Sequence, residues 1–521
     1  MVAEAVGPYP PRTRRDPGHA RRGELGDVAL ARDGKPLAGY HGGTFYLRNR
    51  QDNVRLYVGG NLHLDARSYF GPGVTDLYGD SALTGTAGIR RGRVQLAGEL
   101  FHRWQFLVQP EWGPTAFDNA SGRAEVSAGR SGQDPDRSTA QFAAVQAGSL
   151  KGTLADAYVN YGPHPLFNMQ VGQFQVPFTM ENRTSSNTTT FMENAVMARA
   201  LGAPLVREIG LMFWGAPKKN QFYYSAGFFL GEGPNRPNAD NKGDFAARVY
   251  ARPFTRSIRA LSMAQIGASV RYGMRDKDRV AYDLNDMRTQ GGFAFWRPTY
   301  TDSVVDPLSA NKAGRLLHVI PSGSQAAVVA ELRAPWDRFE LRSEFVYADY
   351  HTREAVDGYQ LTNTERFGKL TGFSYYVQFS WWPIGKPFVN GVPGEARPPS
   401  LDLKKHDPAV LPRGVELVAK WEQLRLNYEG ASRAGELDET SNLDGKIRFD
   451  AFSLGANYWA TRHMRFTINY VLNRMPDSSA TGDADQRARA PGNLIAKGID
   501  DDTRSTAHTL HELSARLGVA F

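Results

Sequence analysis

The sequence contains no cysteine, so disulfide bonds and cysteine-ligated zinc sites are excluded. It also lacks the run of about 18 to 20 apolar residues that a membrane-spanning helix requires. The mean hydropathy is -0.46, low enough for a water-exposed chain but equally compatible with strands in which only alternate residues face lipid. If the chain crosses a membrane, it therefore does so with β-strands.

No secretory signal is visible in the first residues either. Residues 1–43 are rich in proline, arginine and glycine and contain no apolar stretch of the kind that a signal peptide needs. We expect them to form a disordered or periplasmic N-terminal segment, with residues 44–521 forming one further domain. The net charge of +8 favours an anionic partner, although an ordinary solvated surface would carry the same sum.

Residues 449–474 show the pattern that organises the rest of the chain. In the second half of this stretch, every other position is apolar or aromatic: Met464, Phe466, Ile468, Tyr470 and Leu472. Side chains of a strand point alternately to the two faces of a sheet, and the first half alternates in the same way, so the pattern predicts a β-hairpin. A soluble sandwich would also show it. Strands of about ten residues with aromatic ends, repeated along the chain, favour a transmembrane β-barrel.

The same alternation predicts sixteen antiparallel strands. They are the hairpin 449–474 and the segments 54–69, 88–98, 102–112, 153–162, 166–175, 208–216, 220–231, 243–252, 262–274, 326–334, 338–350, 369–383, 413–429 and 511–521. Short and long connections alternate, as short periplasmic turns and long extracellular loops do in outer-membrane barrels. The segment of about 29 residues at 384–412 is an exception and is predicted to be a periplasmic excursion. The terminal Phe521 agrees with the way in which many such barrels end.

Arginines on the polar strand faces are the main functional signal. A sixteen-stranded barrel is wide enough to hold water in its lumen. A charged side chain that faces lipid costs about 2 to 4 kcal/mol at the midplane of the bilayer. These arginine side chains are therefore assigned to the lumen. Rings of arginine and lysine select anions. Carboxylates on the same faces would neutralise many of them, which leaves a general small-solute pore as the alternative. The basic residues are Arg91, Arg93, Arg103, Arg248, Arg271, Arg333, Arg342, Lys420, Arg465 and Arg516.

Several segments carry a family resemblance. They include "IRRGRVQLAGELFHRWQFLVQPEWG" at 89–113 and, most specifically, "VGQFQVPF" at 171–178 followed by "TFMEN" at 190–194. These segments resemble the phosphate-selective porin O and P family of Gram-negative bacteria. The resemblance runs from about residue 44 to residue 521. It implies a homotrimer of sixteen-stranded barrels in the outer membrane, with the third loop folded into the pore and an arginine ladder that conducts phosphate or polyphosphate.

The resemblance also implies site residues. The paired arginines that open the second strand match Arg90 and Arg91, with Arg93 one step further, and the third loop matches residues 176–207. Together with the strand arginines, the pore-lining or anion-binding candidates are Arg90, Arg91, Arg93, Arg183, Arg199, Arg207, Arg248, Arg271 and Arg465. The loop departs from the family pattern because it contains Glu181 and Glu193 and lacks a lysine cluster. A general anion or small-solute pore is therefore a second interpretation.

Other classes are less favoured. No catalytic constellation, metal site or cofactor motif stands out, so we expect neither an enzyme nor a cofactor, and nothing indicates a nucleic-acid partner. The expected partners are small anionic solutes and the lipid and lipopolysaccharide of the outer membrane. An adhesin or phage-receptor barrel that acts through its long loops remains a different possibility, as does a soluble multi-domain β protein.

Overall fold

The computed structural model of the chain describes most of the residues after residue 44. The described residues are 30–31, 34, 36–41, 44–71, 85–113, 151–202, 206–216, 221–238, 240–276, 284, 287–296, 299–305, 314–356, 366–385, 394–395, 397–400, 403, 413–432, 443–461, 463–475 and 509–521. Most of the N-terminal segment predicted at 1–43 lies outside them.

Strands dominate the described residues. They are β1 (Ala38–His41), β2 (Thr44–Arg48), β3 (Val54–Phe70), β4 (Thr86–Leu100), β5 (Trp104–Gly113), β6 (Lys151–His164), β7 (Phe167–Gln175), β8 (Arg207–Gly215), β9 (Phe222–Phe229), β10 (Asp244–Ala251), β11 (Gln265–Arg275), β12 (Met287–Arg288), β13 (Ala294–Trp296), β14 (Thr299–Val305), β15 (Gly314–Trp336), β16 (Phe339–Val356), β17 (Arg366–Ile384), β18 (Gly414–Ser432), β19 (Leu443–Thr461), β20 (Met464–Arg474) and β21 (Thr509–Ala520). One short helix, α1, spans Val196–Ala200, and a 3-10 turn spans Arg259–Leu261.

Sixteen of the described strands, β3 to β11 and β15 to β21, close into an antiparallel barrel. Each barrel strand pairs with the next barrel strand along the chain, so that β11 pairs with β15. The last strand, β21, pairs with β3, with Leu517 opposite Leu64. This pairing leaves no open edge between the first and the last barrel strand. The predicted fold class and strand order are confirmed. β2 pairs with the beginning of β3, where Phe45 lies opposite Val58. β14 pairs with the N-terminal end of β15.

The two faces of the barrel differ as the alternation predicts. In β20 the outward side chains Phe466 and Ile468 are exposed, whereas Thr467 and Asn469 between them are buried inside. An apolar outer surface and a polar lumen are the requirements of a barrel in lipid. None of the helices in the described ranges is long or apolar enough to cross a membrane.

Three inward-folded segments occupy part of the lumen. The third loop, residues 176–206, contains α1 and buries Phe178, Met197 and Leu201 completely. The fifth-loop hairpin, residues 287–296, stacks Phe295 on Phe449 with ring centroids 4.5 Å apart. The lumen segment comprises the described residues between 394 and 403. It belongs to the connection predicted as a periplasmic excursion, but Gly394 accepts a hydrogen bond from Arg248 inside the barrel at 2.7 Å.

Candidate pore and its arginines

A β-bulge turns two consecutive arginines of β4 toward the lumen. His63 of β3 pairs with Arg91, whereas the next residue, Leu64, pairs with Ile89, so Arg90 is an extra residue in β4. A bulge re-aims side chains locally. Without it, strict alternation would point Arg90 at lipid. Instead, Nε of Arg90 donates to Glu193 of the third loop at 2.9 Å.

Glu193 joins the third loop to three strands of the wall. Besides Arg90, its carboxylate pairs with Arg67 of β3 at 3.0 Å and with Arg516 of β21 at 3.4 Å. Burial by itself would raise the pKa of Glu193, but the surrounding arginines outweigh it and hold that pKa well below its ordinary value. The carboxylate therefore stays charged and clamps the loop against the wall.

Arg91 and Arg93 share one carboxylate. Glu111 of β5 lies 2.8 Å from Nη2 of Arg93 and 3.6 Å from Nε of Arg91. The side chain of Arg91 keeps 21% of its surface exposed to the lumen. The two guanidinium groups thus carry more positive charge than their shared partner offsets.

Arg465 of β20 lies close to the same group. It donates to the backbone carbonyls of Thr189 at 2.5 Å and Ser186 at 3.5 Å, and its guanidinium lies over Trp459. His63, buried between these arginines, interacts electrostatically with Arg91, Arg93, Arg465 and Arg516. We call Arg67, Arg90, Arg91, Arg93, Arg465 and Arg516 the basic sector. Its ion-pair partners among the described residues include Asp65, Glu111 and Glu193.

The three loop candidates have different surroundings. Arg207, at the start of β8, pairs with Asp156 at 3.0 Å. Arg183 is buried and donates to the carbonyl of Gln175 at 2.6 Å. Arg199 donates to the carbonyls of Asn194 and Thr289, both at 2.8 Å, and burial lowers its pKa. Arg199 thereby links the third loop to the fifth-loop hairpin rather than facing open water.

The opposite wall contains arginines that are closely paired. Arg248 forms two hydrogen bonds to Glu331, at 2.8 and 2.9 Å, and both side chains are fully buried. Arg271 and Arg275 share Asp244, and Arg342 binds Glu340 at 2.9 Å. We call these four arginines the paired sector. Arg103 is not in the lumen, since it lies exposed in the turn between β4 and β5.

Wall carboxylates that hold the loops are a feature that the sequence did not reveal. Glu344 of β16 accepts hydrogen bonds from the backbone N–H groups of Met180 and Glu181, at 2.5 and 2.9 Å. Glu422 of β18 accepts one from the N–H of Val196 at 2.7 Å and one from Gln290 at 2.9 Å. These carboxyl oxygens satisfy loop N–H groups that would otherwise be buried without partners. An alternating pattern shows which face a residue occupies but not which distant amide it binds.

A cavity of about 410 Å³ remains open beside the third loop. It lies near the rim where the turns are short, because Gly59, His463 and Phe521 line it. Its basic lining residues are Arg93, Arg183, Arg207 and Arg397, and its acidic ones are Asp156 and Glu395. Amide side chains of β4 to β7, such as Gln95 and Gln170, complete a polar surface suited to hydrated ions.

One protein family matches part of the chain. Residues 57–257, which run from β3 to the turn after β10, match the model of the family described as phosphate-selective porin O and P. That range includes Arg90, Arg91, Arg93 and the whole third loop. No curated protein sequence matches the chain.

Solved outer-membrane proteins match the chain at very low sequence identity. In-vitro folded OmpT of Vibrio cholerae is 9% identical with a TM-score of 0.43, over 90% of this chain and 98% of that one. An anion-selective porin from Comamonas acidovorans is 10% identical with a TM-score of 0.42, over 90% and 100%. The channel DcaP of Acinetobacter baumannii is 9% identical with a TM-score of 0.40, over 90% and 98%.

Proposed function

We propose that the chain forms a water-filled outer-membrane channel that passes small anions by passive diffusion, because residues 57–257 match the model of the phosphate-selective porin O and P family and sixteen strands close into a barrel. The basic sector is the observation that carries this proposal. Within it, Arg91 and Arg93 share the single carboxylate of Glu111, and Arg91 keeps part of its side chain exposed. A fixed positive wall attracts anions and replaces part of their hydration.

Phosphate and polyphosphate fit the donors that this wall offers. Guanidinium groups bind phosphate oxygens in a planar, bidentate manner, and Arg91 and Arg93 project from alternate positions of one strand. A ladder of this kind lets an anion move from one group to the next, provided that no single site binds too tightly. The homotrimer that the resemblance implies stays a prediction, to be checked by chemical cross-linking of the native protein.

A general small-solute porin is the second candidate function. The paired sector favours it, because Glu331 and Glu340 each neutralise one arginine and Asp244 offsets one of the two charges on Arg271 and Arg275. In that case the positive charge of the basic sector would have little influence on the ions that pass.

The deciding experiment is a reversal-potential measurement with purified, refolded protein in a planar bilayer under a KCl gradient. We expect the reversal potential to be shifted toward the equilibrium potential of chloride. We also expect the chloride current to fall as phosphate is added. The double variant Arg91→Gln with Arg93→Gln should move the potential toward zero. Arg103→Gln removes a positive charge in the exposed turn and should leave it unchanged. A wild-type reversal potential near zero, or shifted toward the equilibrium potential of potassium, would instead support the general porin.

A further inference from the structure

The lumen segment brings a carboxylate to the arginines near the short-turn rim. Glu395 forms an ion pair with Arg252, which directly follows β10, and lies 3.6 Å from Arg397. The hydroxyl of Tyr250 donates to the same carboxylate at 3.3 Å. Burial alone would raise the pKa of Glu395, but Arg252 and Arg397 together lower it, so the group is charged.

Neighbouring contacts fix the backbone on which Glu395 sits. The carbonyl of Gly394 accepts from Nη1 of Arg248 at 2.7 Å, and the N–H of Gly394 donates to Thr184 of the third loop at 2.9 Å. The segment is thus held both by the wall and by the third loop. The position of the carboxylate follows from these bonds and does not depend on its own charge alone.

Arg252 has more hydrogen-bonding capacity than its partners use. Its side chain is buried, and Nη2 is bound by Glu395 and by Gln265 at 3.1 Å. Nε and Nη1 have no hydrogen-bond partner among the described residues. The guanidinium lies over the ring of Tyr250, 5.3 Å from its centroid, which fixes its plane. A buried cation with unused donors beside a water-accessible cavity is a suitable site for an oxyanion.

We propose that Glu395 is a tethered counter-ion that occupies an oxyanion site formed by Arg252, Arg397 and Tyr250, and thereby weakens the binding of permeating anions near the short-turn rim. This inference rests on the proposed anion channel and names a residue that sets its affinity. Glu395 and Arg397 both line the open cavity, so an entering anion meets the carboxylate directly. A tethered competitor keeps binding weak enough for release, which conduction requires.

The variant Glu395→Gln tests this role, because glutamine keeps the shape and hydrogen-bonding ability of the side chain and removes its charge. The probe is inorganic phosphate, added to the short-turn side of a bilayer that carries a chloride current. We expect the phosphate concentration for half-block to fall by about tenfold, as when a like charge next to an anion site is removed. Glu429→Gln is the matched control: it removes one negative charge from an exposed side chain of β18 and should leave half-block unchanged.

A second variant separates this role from a structural one. In the double variant Glu395→Gln with Arg252→Gln, the gain in phosphate affinity should disappear. If Glu395 only held the segment in place, Glu395→Gln would change the KCl conductance while half-block stayed as in the wild type. That result, or a gain that persists without Arg252, would overturn the inference. Failure of the proposed function would give a different result, because the wild-type channel would then show no preference for anions. Even in that case, a tenfold gain in phosphate affinity in Glu395→Gln would support the role of Glu395 as a counter-ion.

Discussion

At the scale of single residues, the partners of a lumen arginine decide its role. Arg91 and Arg248 both lie on inward faces of the sheet. Arg91 is partly exposed and 3.6 Å from the carboxylate that it shares, whereas Arg248 is fully buried and bound at two points by Glu331. The first is available to a passing anion. The second is a structural ion pair, and its removal should affect stability before it affects selectivity.

The variant Arg248→Gln tests that distinction. Removing one partner of a buried ion pair leaves the other charge uncompensated and costs about 3 to 5 kcal/mol. We expect a lower midpoint of urea unfolding, measured by tryptophan fluorescence in detergent. The double variant Arg248→Gln with Glu331→Gln removes both charges and should recover most of the loss. Equal destabilisation in single and double variants would contradict the assignment.

At the scale of elements, the third loop depends on the clamp at Glu193. Because the pKa of this carboxylate is lowered in the folded protein, the stabilisation that it provides is complete above the ordinary pKa of 4.5 and is lost as the pH falls through the lowered value. The loop should therefore remain clamped between pH 7 and pH 4.5. More acidic solution should release it.

The variant Glu193→Gln should mimic this release at every pH. Arg67, Arg90 and Arg516 would lose their common anion, and the loop would fluctuate. Open-channel current noise at pH 7 should rise to the level that the wild type reaches only in acid below pH 4.5. Glu429→Gln, an exposed side chain of β18, removes the same charge without touching the loop and serves as the control. Quiet currents in Glu193→Gln at pH 7 would argue against the clamp.

The β-bulge in β4 also shapes the pore, because it sets the direction of two arginine side chains. One inserted residue lets Arg90 and Arg91 both face the lumen, so that β4 supplies one arginine to the loop clamp and one to the pore. The adjacent arginines in the sequence already require such an irregularity, since one of them would otherwise face lipid. The position of the extra residue in the pairing of β3 with β4 is a property of the sheet.

At the scale of the whole molecule, closure depends on the meeting of the two ends of the barrel. The backbone of Phe521 forms hydrogen bonds with Gly60 in both directions, at 2.8 and 3.0 Å. A Cβ atom at Gly60 would lie 2.5 Å from the carbonyl oxygen of Arg93 and 2.8 Å from the Phe521 ring. Those contacts are too short for any side chain, so glycine permits the closing approach of β3, β4 and the C-terminus.

The variant Gly60→Val should therefore impair closure. We expect a smaller fraction of refolded barrel, seen as the heat-modifiable band on SDS gels, and a lower temperature at which that band unfolds. Gly518→Ala is the control on the neighbouring strand β21, because the nearest atom to its added Cβ would lie 3.6 Å away. Normal refolding of Gly60→Val would show that closure does not depend on the close approach at Gly60.

The sequence by itself determined the barrel. Strict alternation, strand length and the order of short and long connections predict sixteen strands and the face of residues such as Phe466 and Thr467, because a strand's two faces are set by position alone. The outward-facing residues needed no partner to be identified. The lumen assignment of Arg91, Arg93 and Arg248 followed in the same way, from the cost of placing a charge in lipid.

Only the tertiary structure decided which of those arginines keep free charge. Ion pairs such as Arg248 with Glu331 and the three-arginine clamp on Glu193 join positions far apart in the chain, and no local pattern encodes that distance. The inward fold of the lumen segment was missed for the same reason, since its contacts are with β10 and the third loop. Local periodicity sets the faces of strands, whereas pairing between loops and walls depends on how the closed barrel brings distant residues together.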